Sequence, residues 1–469
     1  MINQIRMAKM KSLKAIGRSL GQVTIFGILL IAALNTSAQE ELKYRRSSLS
    51  MIMVESRKLP DSDKVTAAYS KYPFPDKYNN HNISYINFNP EDYLVSEEDR
   101  IAAGKKSASA GGKALGKMGG SMLKSNTGGL VDLDTLAKDI PFQIEKFIEE
   151  KQIAKALVAK WFNRTEDGKL DYELIKERGL YSALEEDKEL ANSTASAEDY
   201  LFDMELVGNT FVVFNRLKFT PNEPVAKMVL DLALEQANSI SIDIAKQKAV
   251  EGAQAVYERT KEGYTVFTKT WLYQLQWNDT IAEQFKSYFL NENIDPVAAW
   301  DTTNLFKLKL VGDEISSSIV TFSLKEKRTE EQVISLSVNR NVDAVLAKLQ
   351  KKYEVFRPVT PIASVGPVTA RIGLKEGLEA GQSFDILESR KDDKTGRYRY
   401  VSVGSVSVDK KAPIWDNRFQ EKPDVEEIVE AALAGTPLTI NDPDEGPAFT
   451  TFTGGKKAQL GMNFLRLKK

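Results

Sequence analysis

The chain has 469 residues, of which 42% are apolar and 28% charged, and its formal net charge is −1. This composition is that of an ordinary folded protein, and the length is sufficient for two or three domains. The absence of cysteine excludes disulfides, thiolate metal sites and cysteine nucleophiles. The single histidine excludes a zinc site with several imidazole ligands.

Residues 1–38 have the layout of a secretory signal peptide. Five basic residues and no acidic residue precede an apolar run over 23–34, and small residues follow up to Ala38. We predict cleavage after Ala38 and a mature protein in the periplasm or associated with the outer membrane. A retained membrane anchor is the alternative, although a membrane-spanning helix takes roughly 20 apolar residues. Because cysteine is absent, the mature N-terminus cannot be a lipid-modified cysteine.

Residues 39–100 are predicted to form a separate N-terminal segment. It begins with a strand over 48–54, and a proline-bearing aromatic stretch over 72–75 disfavours helix. His81 lies in a polar, turn-like context without a nucleophile motif nearby. We therefore expect a solvated loop histidine and not a catalytic one.

Residues 101–132 are rich in glycine, alanine and lysine and are predicted to be a flexible linker. Within them, 111–117 resembles a phosphate-binding loop, but Met118 stands where a magnesium-binding hydroxyl is required. We attribute that match to chance. A second interpretation of 104–129 is a basic, weakly amphipathic helix that contacts an anionic membrane surface.

Residues 133–356 are predicted to form an α+β domain, because helical and strand patterns alternate there without a regular repeat. Helices are predicted over 139–164, 225–259 and 342–353 from apolar residues at three- and four-residue steps. Strands are predicted over 210–214, 265–277, 304–311 and 318–324.

A stretch after the first of these helices resembles the first nine positions of a calcium-binding loop. Its candidate ligands are Asn163, Asp167 and Asp171, and Gly168 occupies the sixth position. The twelfth position should be a bidentate glutamate but is Leu174. A turn that ends one helix and starts another explains the same residues, so calcium is the minority interpretation, and we expect no other cofactor.

Residues 357–469 change to short strand patterns and are predicted to form a small β-barrel of the SH3-like kind. Five strands are predicted over 368–372, 383–387, 398–408, 449–452 and 462–467, with a helical insertion over 425–433. Long charged helices elsewhere in the chain disfavour an outer-membrane barrel. The fold class expected is thus α+β, a mixed helix and strand body with a C-terminal small barrel.

Two resemblances follow from particular stretches. Residues 176–181, 209–214 and 277–279, together with the end of the leader, resemble a set of uncharacterised exported proteins of Bacteroidetes-type bacteria. Residues 372–387 and 403–406 are similar to the small β-barrel that ends flagellar-assembly T-type periplasmic proteins. The second resemblance implies protein contacts at the cell envelope and no catalysis.

The sequence therefore predicts a non-enzymatic interaction or assembly factor of the cell envelope, whose partners are other envelope proteins. The well-mixed charge gives no reason to bind nucleic acid. The alternative is a carboxylate-dependent glycan hydrolase, which needs only two suitably spaced acids. In that case Trp271, Tyr273 and Trp277 could stack on sugar, although aromatics at this spacing more often form the core face of a sheet. No catalytic residue is assigned.

Overall fold

The structure, a computed structural model, describes residues 47–56, 62–98, 139–180, 204–290, 295–321, 329–391, 398–418, 448–460 and 463–468. The helices are α1 Ser62–Ser70, α2 Ile140–Glu150, α3 Ile153–Trp161, α4 Glu173–Leu180, α5 Met204–Val207, α6 Asn222–Asn238, α7 Asp243–Thr260, α8 Asp279–Phe289, α9 Pro296–Thr302 and α10 Glu330–Lys352. The body strands are β1 Ser48–Val54, β2 Asn79–Asn80, β3 Asn87–Phe88, β4 Thr210–Pro221, β5 Gly263–Leu275 and β6 Leu308–Thr321. The barrel strands are β7 Thr360–Val365, β8 Val368–Ala370, β9 Ser383–Lys391, β10 Tyr398–Val408, β11 Thr450–Gly454 and β12 Asn463–Leu467.

The body is built on a mixed sheet in the order β2-β1-β4-β5-β6, with β3 also paired to β1. Strand β1 runs parallel to β2, β3 and β4. The pairs β4–β5 and β5–β6 are antiparallel. The sequence of β1 is almost continuously apolar because both of its faces are buried. The predicted N-terminal segment thus supplies a central strand of the body, a pairing that the sequence did not reveal.

Helices cover both faces of this sheet. Helices α1 and α10 pack on one face through a core that includes Leu49, Phe211 and Leu346. Helices α2 and α3 pack on the other face, where Phe147 stacks on Phe88 with ring centroids 4.5 Å apart. A third apolar cluster, around Phe285, joins α3, α8 and α9 at one end of the sheet.

Helix α10 buries most of its side chains and begins twelve residues before the predicted helix at 342. A capping box between Thr329 and Gln332 fixes its start. Its first half buries Ser337, Asn339 and Asn341, and these polar residues hide the apolar period in the sequence.

Three other predictions differ from the structure in their boundaries. The helix predicted over 139–164 is two helices, α2 and α3, with Gln152 at a positive φ of 50° between them. The helix predicted over 225–259 is two helices, α6 and α7, which meet at a turn over 239–242. The strands predicted over 304–311 and 318–324 both overlap one strand, β6 Leu308–Thr321, and residues 322–324 lie outside the described residues. Gly312 and the serines at 316–318 lower the apolar content in the middle of that strand, so its sequence pattern looks like two shorter strands.

Strand β6 is the edge of the sheet among the described strands, and side chains from the end of α10 cover part of it. Lys348 Nζ donates a hydrogen bond to the carbonyl of Ile315 at 2.7 Å. The Tyr353 hydroxyl accepts one from the backbone N–H of Asp313 at 3.1 Å. Outward-facing backbone groups of the strand are thereby satisfied within the chain.

The C-terminal region forms a closed antiparallel barrel in the order β10-β11-β8-β7-β12-β9, which confirms the predicted small β-barrel and the α+β class. It has six strands where five were predicted. The sequence did not reveal β7, because Pro361 interrupts its strand pattern. The insertion predicted over 425–433 lies outside the described residues. Body and barrel belong to one compact unit, Tyr44–Lys469.

Candidate functional site

The helical hairpin of α6 and α7, called the arm below, is inserted between the antiparallel strands β4 and β5. Strand β4 ends at Pro221 where α6 begins, and β5 starts three residues after α7 ends at Thr260. The two helices pack mainly on each other. None of the described side chains of α7 is buried. The arm is therefore held to the body chiefly through its base.

The arm exposes large apolar side chains. The exposed fraction is 53% for Leu232, 66% for Ile242, 71% for Ile244 and 51% for Val256. Single exposed apolar residues are ordinary, but several on one projecting element mark a contact surface. Ile242 and Ile244 lie at the turn between the helices, the most accessible part of the arm.

The charges on the arm are of both signs. Helix α6 has Glu223, Lys227, Asp231 and Glu235, and helix α7 has Asp243, Lys246, Lys248, Glu251 and Glu258. A surface of this kind, apolar and fringed by mixed charges, is typical of protein contacts. In the sequence these apolar residues predict a helix over 225–259 but do not indicate that they are exposed.

A cleft of ≈ 540 Å³ opens where β1 and β3 end and α1 begins. Its described lining combines apolar, hydroxyl and acidic groups: Met53, Val54, Glu55, Ser56, Ser62, Asp63, Val65, Thr66, Ala67, Ser70, Asn87 and Leu217. The Glu55 carboxylate accepts a hydrogen bond from Asn87 Nδ2 at 2.5 Å. The volume of the cleft is within the range of small-molecule sites. The sequence could not indicate it, because its walls come from four separated elements.

His81 is completely buried, so the expectation of a solvated histidine is wrong. Its Nε2 lies 2.9 Å from the carbonyl of Leu157, and its Nδ1 lies 2.9 Å from Arg178 Nη1. A carbonyl only accepts and a guanidinium only donates, so Nε2 carries the proton and Nδ1 accepts. The imidazole is thus fixed in one neutral tautomer.

The surroundings of His81 oppose its protonation. Burial, followed by the positive charge of Arg178, lowers its pKa to about 3. Arg178 also donates to Ser48 Oγ at 2.8 Å and lies over the Trp161 ring, 4.6 Å from the ring centroid. His81 therefore ties its own segment to α3 and α4, two distant parts of the chain, through its two ring nitrogens.

The candidate calcium ligands lie in a turn between α3 and α4. The Asp167 carboxylate accepts from Thr165 Oγ1 and lies 2.6 Å from Lys169 Nζ. These contacts lower the pKa of Asp167 to about 2, the hydrogen bond from Lys169 being the largest cause. Asp171 accepts from the backbone N–H of Glu173 at the start of α4. Asn163 adopts a positive φ of 40° after α3.

The described residues contain no group of three or more histidine, aspartate or glutamate side chains arranged to hold a metal ion. Nor do they include a helix long and apolar enough to cross a bilayer. The leader, the segment over 104–129 and the loop-like match at 111–117 lie outside the described residues.

The three aromatic residues considered for sugar stacking belong to the interior. Trp271 and Tyr273 are buried against α2 and α3, and Trp277, just beyond the strand, packs against Phe285 at 5.6 Å between ring centroids. Trp271 and Tyr273 are on a core face of the sheet, Trp277 lies in the cluster around Phe285, and these three residues present no sugar-stacking strip.

No family model matches the chain, and no curated protein matches it.

Proposed function

We propose that the protein is an exported interaction or assembly factor of the cell envelope, without enzymatic activity, that binds a partner protein through the arm. The observation that carries the proposal is the exposure of Leu232, Ile242, Ile244 and Val256 on a hairpin attached by its base. A projecting apolar element suits contact with another protein. The leader at 1–38 supports the envelope as the place of action.

The arm is tested by site-specific photocrosslinking in intact cells. A photoreactive residue at Ile244 should give a discrete adduct with an envelope protein, and Ile242→Ser should weaken that adduct. Leu94, which is 81% exposed but lies outside the arm, is the matched control and should give none. An Ile244 position that yields no adduct, in a protein shown to be folded and abundant, would contradict the proposal.

Export is tested separately by fractionation and N-terminal sequencing. We expect the mature protein in envelope fractions to begin at Gln39. Recovery from the cytoplasm with residues 1–38 intact would refute the proposed localisation.

The glycan hydrolase is kept as a second candidate because Glu55 and Asp63 both line the ≈ 540 Å³ cleft. The test is a release assay on peptidoglycan and polysaccharides with wild type, Glu55→Gln and the control Glu97→Gln, an exposed acid outside the cleft. Release that Glu55→Gln abolishes and Glu97→Gln preserves would establish an enzyme. An inactive wild type would end this candidate.

A further inference from the structure

The junction between body and barrel encloses a group of charged side chains. A single-turn 3₁₀ helix of the barrel, Leu374–Glu376, packs against α10. Beside it lies a cavity of ≈ 20 Å³, lined by Pro75, Asp76, Lys77, Tyr78, Asp343, Leu346, Ala347, Gln350, Lys375 and Glu376. This cavity has room for about one water molecule and none for a substrate.

The two most buried acids of this junction are held differently. Asp343, on α10, accepts from the Tyr72 hydroxyl at 2.6 Å and lies 3.7 Å from Lys375 Nζ. Glu376 accepts at one oxygen, Oε2, from the backbone N–H of Gly373 and from Asn417 Nδ2, both at 2.8 Å. Asp343 thus has a cationic partner close by, whereas the groups bonded to Glu376 are neutral.

Glu376 differs from the other two acids around the cavity in its surroundings. Asp76 is half exposed and pairs with Lys77 at 3.0 Å, and Asp343 lies beside Lys375, whereas Glu376 is buried and hydrogen-bonded to neutral groups. Burial opposes the ionised form of such a carboxyl, and uptake of one proton removes that cost.

Burial, the largest cause, raises the pKa of both acids. For Glu376, Asp76 raises it further, while Lys77, the Gly373 N–H and Asn417 lower it. For Asp343, Lys375 and the Tyr72 hydroxyl lower the pKa, and Asp76 raises it. Tyr78, the remaining titratable group on the cavity, itself has a pKa raised by burial and stays neutral.

We propose that the body–barrel junction is a proton-sensitive coupling, in which Glu376 takes up one proton as the pH falls and the barrel is then held more tightly on α10. When the pH rises, Glu376 releases the proton and the hold of the barrel on the body weakens. The choice of Glu376 over Asp343 follows from their partners, because the ammonium group of Lys375 favours the ionised form of Asp343.

The direction of the pH effect follows from linkage. The native carboxyl of Glu376 binds its proton more tightly than the unfolded one, whose pKa is 4.5. Its contribution to stability is therefore complete below pH 4.5 and is lost as the pH rises through the higher native pKa.

The test compares wild type with Glu376→Gln, which keeps an oxygen to accept from Gly373 and cannot ionise. We expect the ratio of the wild-type unfolding equilibrium constant to that of the variant to rise with increasing pH. Between the unfolded and the native pKa of Glu376 the rise should be up to tenfold per pH unit. Contributions from other groups, His81 included, cancel in this ratio. A ratio that does not change with pH would overturn the proposal.

Glu379→Gln is the matched control. Glu379 lies three residues from Glu376, but it is exposed and pairs with Lys351 at 2.6 Å, and the hydrogen bond from Lys351 lowers its pKa. This variant should leave the acid-strengthened coupling intact. Loss of that coupling in Glu379→Gln would also contradict the proposal.

Two measurements on wild type keep the proposal testable if Glu376→Gln does not fold. The side-chain carboxyl carbon of Glu376 should titrate by NMR with a midpoint above the ordinary glutamate value of 4.5. Hydrogen exchange over 373–377, corrected for intrinsic rates, should slow as the pH is lowered through that midpoint. A midpoint at or below 4.5, or unchanged protection, would refute it.

Discussion

The single histidine gives a sharp prediction about pH and stability. Burial is the main reason that the pKa of His81 is about 3 in the folded protein, against 6.5 for an unperturbed histidine. The unfolded chain therefore binds a proton at a pH where the folded protein does not. Stability attributable to His81 is complete above pH 6.5 and falls as the pH decreases towards 3.

The magnitude follows from the two pKa values. At pH 5 the unfolded histidine is almost fully protonated and the native one is neutral, so His81 lowers the free energy of unfolding by about 2 kcal/mol relative to pH 7.5. Because the native pKa lies well below pH 5, the unfolded chain alone sets this value. The geometry agrees, since a proton on Nδ1 would face the Arg178 guanidinium.

Urea unfolding at pH 5 and pH 7.5 measures the effect, with His81→Gln as the comparison. The wild type should lose about 2 kcal/mol more than the variant on this change of pH. NMR gives an independent reading, because the chain has only one pair of imidazole C–H signals. A ring that titrates with a midpoint near 6.5, or a variant with the wild-type pH dependence, would refute the reasoning.

Two further substitutions test the packing. A Cβ at Gly312 would lie 2.0 Å from the Tyr353 hydroxyl, so Gly312→Ala should lower the free energy of unfolding by about 1–3 kcal/mol. The loss should be smaller in a Tyr353→Ala background, and equal losses in the two backgrounds would contradict this explanation. Phe285 stacks on Phe162 at 4.5 Å between ring centroids in a buried apolar cluster, so Phe285→Ala should lower the free energy of unfolding by about 3–5 kcal/mol. The exposed Tyr288 on the same helix is the control, and Tyr288→Ala should change stability by no more than about 0.5 kcal/mol. Calorimetry or urea titration measures the stability of each variant. Similar losses for Phe285→Ala and Tyr288→Ala would show that packing in the cluster does not account for the loss of stability.

Local sequence was sufficient where one pattern dominates. The apolar run over 48–54 coincides with β1, and the alternation in the last hundred residues located five of the six barrel strands. Such elements bury the residues that define their own period, so a short window contains the evidence for them.

The rest depends on partners far along the chain. His81 has the local sequence of a solvated turn, and its burial depends on Arg178, which is 97 residues away. The polar residues of α10 are typical of an exposed helix face, yet Asn341 Nδ2 donates a hydrogen bond to Ser318 Oγ on β6. The cleft beside β1 and the acids of the barrel junction likewise combine separated segments, and no window of sequence contains them.

The cover on strand β6 has a consequence for the behaviour of the protein in concentrated solution. A long edge strand is a template on which another chain can add a strand, and it leads to aggregation when uncovered. Here Lys348 and Tyr353, at the end of α10, occupy its outward backbone groups. The barrel packs on the same helix through its 3₁₀ helix, Leu374–Glu376. A change that loosens α10 would uncover an edge strand on which another chain can pair, so retention of the barrel and resistance to self-association both depend on this helix.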